Sequence, residues 1–469
     1  MQASRIGPGR LACLPEFMIS TAQLAETLKG RAITPDDPDY DDARKVFLGA
    51  IDRRPAVIAR VADAEDVAAV IRAARESGQE LAVRSGGHSG AGHGVSEGGI
   101  VLDLSELSGL EIDAEGRTAW AETGLTAGAY TTAAGAHGLA TGFGDTASVG
   151  IGGITLGGGI GFLVRKHGMT IDALLAADVV TADGELVRAD AESHPDLFWA
   201  IRGGGGNFGV ATRLQFRLDP VESVVGGMLI LPAGAEIVDG FIAEAEAAPE
   251  ELSSIMAVMK APPLPFLPPE AHGRTIVLAQ MAYAGPVEQG ERVLAPFRSL
   301  AEPIADLLRP MPYADIYPPE QEGFRPIAAL QTMFMDGFDT RDAEAILEAI
   351  EGSTAPMAAT QLRVLGGAMA RVPAEATAFA HRDRPIMANV TSMAMSPDAL
   401  DAPAAWVADL AERLNRGDEA GYVGFLGDEG EARVQAAYPG ATYHRLAAVK
   451  AQYDPDNLFR LNQNIPPAA

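Results

Sequence analysis

The stretch VRSGGHSGAGHG, Val83–Gly94, sets His88 and His93 among five glycines and two serines. An imidazole near neutral pH serves as base, nucleophile or ligand. A segment this rich in glycine has no shape of its own, so such a loop normally closes around something. Two more glycine tracts follow, GFGDTASVGIGGITLGGGIG from Gly142 and GGGGNFG from Gly203.

Three chemistries compete for these tracts. Gly204, Gly206 and Gly209 spell the G-x-G-x-x-G of a dinucleotide-binding turn. That turn works between a strand and a helix, and here a helical run precedes it and the strand-like VATRLQFRL follows. GHSGA nearly spells the nucleophile elbow G-x-S-x-G, but Ala91 replaces the last glycine and no helix pattern follows. The third reading is a channel for a long anionic cofactor, because glycine lets backbone N–H groups approach phosphate oxygens without a Cβ in the way. Three tracts along one region suit a cofactor as long as FAD better than they suit three unrelated turns.

The elements that must position these loops are legible. VADAEDVAAVIRAARESGQE reads as an amphipathic helix capped by Asp63, with Val67, Val70, Ile71 and Ala74 on one face and Gly78 at its end. TAGAYTTAAGAHG reads as a helix stopped at Gly138, and LLAADVVTADGELVRAD as a hairpin turning at Asp183-Gly184. Beyond Asp219-Pro220 the glycine clusters give way to strand-like runs (GGMLILPA, TIVLAQMAYAG, TQLRVLGGAMARV, PIMANVTSMAM) alternating with helical ones (EIVDGFIAEAEAA, DAEAILEAIEG, PAAWVADLAERLNR). The fold class is therefore α+β.

Composition bounds the function. The chain has 469 residues, too many for one ordinary core. A net charge of −27 argues against nucleic acid and anionic membrane partners, and no apolar run is long enough to cross a bilayer. Cys13 is the only cysteine, so neither an internal disulfide nor a cysteine metal site is expected; no His, Asp or Glu cluster has metal-ligand spacing either. The chain reads as cytoplasmic, a monomer or homodimer, with residues 1–22 as a disordered leader.

RSGGH, TASVGIGGITLGGGIGFLVRKHG, FWAIRGGGGNFGVAT and YHRLAAVKAQYDPDNLFRLNQNIPP together resemble the berberine-bridge-enzyme-like FAD-linked oxidases of the vanillyl-alcohol-oxidase group. The resemblance runs from Asp52 to Pro467. It implies a PCMH-type FAD-binding domain of two α/β subdomains (23–219), a substrate domain with an antiparallel sheet backed by helices (220–417), and a C-terminal segment (418–469) returning to the FAD domain. It implies FAD contacts from Arg84, Ser85, Gly86, Gly87, His88 and Ser89 in the first tract. The second supplies Gly144, Asp145, Thr146, Val149, Gly150, Gly152, Gly153 and Gly159. The third supplies Gly206, Asn207, Gly209 and Val210, and the tail Gln463 and Asn464. His88 matches the histidine bonded to the flavin 8α-methyl. Thr146 stands where many members carry a second, cysteine link, so this chain resembles the singly linked branch. Val149 leans towards O2 as the electron acceptor.

Flavin oxidation of a small organic substrate needs a proton acceptor as well as a hydride acceptor. Tyr438 matches a tyrosine that reaches the family's active site, although a phenol of pKa ~10 is a weak base unaided. Alternation on PIMANVTSMAM puts Met387, Asn389 and Thr391 on the face turned to the flavin, with Asn389 and Thr391 as substrate contacts. No carboxylate stands on that strand, where some relatives carry a glutamate. Gly424 replaces the usual asparagine of Y-V-N-F, which predicts a wider or less polar pocket. A dehydrogenase with another acceptor, or a flavin protein without catalysis, are the competing outcomes.

Overall fold

The computed structural model describes residues 21–321, 323–417 and 420–468. The expected leader lies outside these residues except for Thr21 and Ala22, which open a helix, Thr21–Thr27. The helix read at Asp63 runs Ala64–Ser77. The Asp63 carboxylate accepts the N–H groups of Glu65 and Asp66, and Gly78 leaves it in a left-handed conformation at φ 68°. Its apolar stripe is buried, each large side chain contributing roughly 1.5–3 kcal/mol.

Two sheets carry the glycine tracts. The first has the order Arg31–Ile33, Val57–Arg60, Ile100–Asp103, Leu81–Arg84, with parallel pairing among the last three. The loop of His88 leaves the end of Leu81–Arg84. The second is antiparallel, in the order Leu110–Asp113, Thr118–Glu122, Val210–Arg217, Leu174–Val180, Leu186–Asp190. Its last two strands are the hairpin read at Asp183-Gly184, with Gly184 at φ 82°. The tract Gly203–Gly209 leads into its central strand, and the tract from Gly142 packs against the first loop.

The third sheet has eight strands, all antiparallel. Its order is Ala305–Asp306, Val224–Pro232, Thr275–Tyr283, Leu252–Lys260, Ala358–Val364, Ile386–Met393, Ala328–Met335, and Arg309–Met311 also pairs with Val224–Pro232. One face packs on the helices Ala235–Ala247, Val287–Arg298, Thr340–Gly352 and Asp401–Leu414 to form the largest core. Period-two alternation then decides the other face: Ile386, Ala388 and Val390 enter that core, and Asn389 and Thr391 are left facing away from it. The mixed helix-and-sheet class agrees with the α+β expectation.

The C-terminal residues return to the second sheet. Lys450 and Asp454 are fully buried. The lysine Nζ donates to Asp454 at 2.7 Å and to the carbonyl oxygens of Asn207 at 2.8 Å and Phe459 at 2.9 Å. All three ammonium donors are thus satisfied, as a buried charge requires. Asn207 completes the junction: its amide donates to the carbonyls of Gly204 and Gln463, and its oxygen accepts the Ile465 N–H.

Candidate active site

Between the glycine tracts and the free face of the large sheet lies a cavity of about 520 Å³. All six residues expected from the first tract line it, as do Gly144, Asp145, Thr146, Val149, Gly150, Gly152 and Gly153 from the second and Gly206, Asn207, Gly209 and Val210 from the third. Gln463 lines it from the tail, and Asn389 and Thr391 from the sheet.

The glycines do two different jobs. A Cβ on Gly86 would lie 2.3 Å from the Gly150 nitrogen, so the first two tracts touch backbone to backbone. A Cβ on Gly153 or Gly206 would meet nothing within 4 Å; it would stand in the cavity itself. A bare backbone lining open space is what a long cofactor with a pyrophosphate needs, so these walls fit FAD.

His88 stacks on Phe47, with ring centroids 4.3 Å apart, and its Nε2 lies 3.1 Å from the Ser148 hydroxyl oxygen. Burial pushes its pKa down, because desolvation disfavours the charged imidazolium. Burial and the Arg53 guanidinium push His93, also on the wall, down to about 4. Arg84 is tied to Asp103 in the first sheet at 3.0 Å.

Three of the expected residues lie off the cavity wall. Tyr438 does not line the cavity: its hydroxyl is buried and donates to the Gly203 carbonyl at 3.2 Å, and burial raises its pKa further. It ties the helix Glu431–Ala437 to the third tract. Gly159 is also off the cavity. Its N–H donates to the Tyr422 hydroxyl oxygen at 2.8 Å, and at φ 79° a Cβ there would overlap Thr170. Asn464 does not line the cavity, whereas its neighbour Gln463 does, with its amide donating to the carbonyls of Leu426 and Gly427.

The sequence reading missed Arg363, Gln361 and Tyr422, all on the cavity wall. Arg363 is buried, pairs with Asp145 and lies over the Phe425 ring at 5.0 Å. The signal for Gln361 and Arg363 was the alternation of TQLRV, which places them beside Asn389 on one sheet face. Tyr422 sits within the run read for its glycine, and burial raises its hydroxyl to about 12. The reading of Gly424 also changes. A Cβ there would lie 2.7 Å from the Tyr422 ring, so the glycine, which also lines the cavity, makes room for that ring.

Comparison with known proteins follows the same lines. A family model for an FAD binding domain matches residues 55–190, and one described as berberine and berberine like matches residues 421–466. The (R)-6-hydroxynicotine oxidase of Paenarthrobacter nicotinovorans is 31% identical over 457 residues, covering 94% of this chain and 97% of that protein. The chain belongs to the berberine-like FAD-linked oxidoreductases. A second member of this family, the uncharacterized FAD-linked oxidoreductase YgaK of Bacillus subtilis, is 30% identical over 94% of this chain and 97% of its own. The crystal structure of 6-hydroxy-D-nicotine oxidase from Arthrobacter nicotinovorans superimposes with a TM-score of 0.84 at 27% identity, covering 94% of this chain and 98% of that one. Physcomitrella patens BBE-like 1 shares the fold at 21% identity, with a TM-score of 0.84 over 96% of this chain and all of its own. Among the described residues no three metal-ligating side chains cluster, and no helix is long and apolar enough to cross a membrane.

Proposed function

We propose that this chain oxidises a C–OH, C–N or related C–H bond of a small or medium organic molecule, passes the electrons to O2 and releases H2O2. FAD is its cofactor, covalently held through His88 alone. The observation that carries this reading is His88 itself: a half-buried imidazole, stacked on Phe47 and within hydrogen-bond distance of the Ser148 hydroxyl, on the wall of a glycine-lined cavity. With Cys13 the only cysteine and Thr146 at the position of the second link, one covalent bond is the limit.

Bound FAD supplies a two-electron hydride acceptor. The chain supplies position and exclusion of water. Asn389, Thr391 and Gln361 offer hydrogen bonds from the sheet face, and Leu330, Met393 and Phe324 line the same cavity with apolar surface. This mixture suits a compact substrate with an apolar body and few polar groups. Val149 on the opposite wall fits access for O2. The single cysteine fits a reducing, cytoplasmic setting, and the chain works as a monomer or homodimer.

The test is to denature the purified protein in acid and follow colour and intact mass. The expected result is a yellow pellet carrying one FAD, with both lost in His88→Ala. Colour that washes out of the wild type removes the covalent link. A colourless native protein that takes up no FAD removes the flavoenzyme reading. Peroxide release across a panel of alcohols and amines then identifies the substrate, and turnover without O2 consumption would make the protein a dehydrogenase.

A further inference from the structure

Taking a hydride from an alcohol or amine carbon leaves a proton on the oxygen or nitrogen, and some group must accept it. The free sheet face offers amides and hydroxyls but no carboxylate. Across the described residues lining the cavity, Asp145 is the one carboxylate. It stands in the second glycine tract, opposite the strand Ala358–Val364.

Its surroundings hold it in one place. The Thr146 hydroxyl donates to Oδ1 at 3.0 Å, and Arg363 donates through Nη2 to Oδ2. The Arg363 side chain is 3% exposed, and its other two guanidinium nitrogens are buried without a hydrogen-bond partner. Among the described residues Asp145 is thus the only hydrogen-bond partner of this guanidinium. A buried arginine so placed is expensive to desolvate and orients its one acceptor firmly. Asp145 itself keeps 19% of its side chain exposed on a residue that lines the cavity. The carboxylate is both fixed and reachable.

The other titratable groups fit the task less well. His88 is assigned to the flavin. His93, at about 4, lies beside Arg53 and Asp428. Tyr422, at about 12, keeps its proton, and its oxygen already accepts the Gly159 N–H. The charge of Asp145 is felt by His88, Tyr317 and Tyr422, and Arg363 is its cationic partner.

We propose that Asp145 is the proton acceptor of the oxidation and that Arg363 is its positioning residue, a role that rests on the oxidase reading above. The C–H hydride passes with its bonding pair to the flavin, the O–H or N–H proton passes to the Asp145 carboxylate, and C=O or C=N forms. O2 then takes the two electrons, with one proton from the reduced flavin and one from the Asp145 carboxyl, and leaves as H2O2.

The test compares FAD-loaded wild type, Asp145→Asn and Arg363→Lys. Asparagine keeps the shape and accepts no proton. With the alcohol or amine found by peroxide release, anaerobic flavin bleaching in D145N should slow about 10²–10⁴-fold. The acid limb of its pH profile should vanish, and KM should move far less. R363K should keep the acid limb, displaced in pH, with an intermediate loss of rate. Sulfite, an anion that adds to flavins, gives a readout that needs no substrate: removing a like charge should tighten its binding about tenfold in D145N. A D145N protein with the wild-type rate and acid limb, or with unchanged sulfite affinity, overturns the proposal. An unaffected R363K beside an impaired D145N overturns the positioning role. A yellow, peroxide-releasing wild type with an unaffected D145N removes only the role of Asp145; a colourless wild type removes the oxidase reading with it.

Discussion

The ring of Tyr422 occupies the space that a side chain at Gly424 would need, with a Cβ there falling 2.7 Å from two ring carbons. Because that space is free, the ring reaches the N–H of Gly159 on the second glycine tract at 2.8 Å. Two glycines far apart in sequence thus seat one phenol.

Gly424→Asn, which restores the residue usual at this place, should push the ring out of its seat and break its hydrogen bond. The expected cost is about 1–3 kcal/mol of stability, read as a lower melting temperature. A G424N protein as stable as wild type would mean the ring has another place to go.

Tyr422 should not set the alkaline limb of activity. Burial raises its hydroxyl to about 12, so it stays protonated at working pH. Wild type and Tyr422→Phe should therefore differ in rate but share the shape of the pH profile between about pH 8 and 10. A limb present in wild type and absent in Y422F would contradict this.

Tyr438→Phe separates the two tyrosines. It removes a buried hydrogen bond to Gly203 and leaves the cavity wall intact. Stability should fall by about 0.5–1.5 kcal/mol, or somewhat more if the carbonyl is left unpaired. Covalent flavin content and kcat should stay within about twofold of wild type. A large loss of kcat at full flavin content would restore Tyr438 to the active site.

Lys450→Met should be the most damaging of these changes. It leaves the Asp454 carboxylate buried without its cation, held only by the N–H groups of Leu458 and Phe459, which costs about 3–5 kcal/mol. Urea unfolding of the flavin-loaded protein measures it. The double variant K450M/D454L removes both charges but leaves the N–H groups of Leu458 and Phe459 without their acceptor, so it should recover only part of the loss.

Thr146→Cys checks the single-link reading from the other side. In a His88→Ala background, T146C should regain flavin that survives acid denaturation, seen as one FAD in the intact mass. Flavin that still washes out of this double variant would show that residue 146 is not where a second link belongs.

Local signals were readable because their physics is local. Asp63 and Gly78 bound a helix by capping alone. The Asp183-Gly184 turn needs only a positive φ, and the alternation of Ile386–Met393 sorted core from cavity residues without any partner in view. Leu252–Lys260, by contrast, is buried at nearly every position and shows no alternation, so it was not read as a strand. Tyr422 and Tyr438 flank a glycine-containing loop and the short helix Glu431–Ala437, and only the packing of that helix decides which reaches the cavity. The partner of Arg363 is 218 residues away in sequence, a distance no periodicity spans.

The junction at Asn207 gives the chain a calendar. Its amide is 256 residues from the Gln463 carbonyl it holds, and Gln463 and Asn462 are themselves part of the cavity wall. All three glycine tracts on that wall are synthesised long before these residues. The third glycine tract therefore stays unlatched until the segment around Gln463 has been made, and the cavity wall is incomplete until then. A cofactor entering before that point would meet a wall without Asn462 and Gln463.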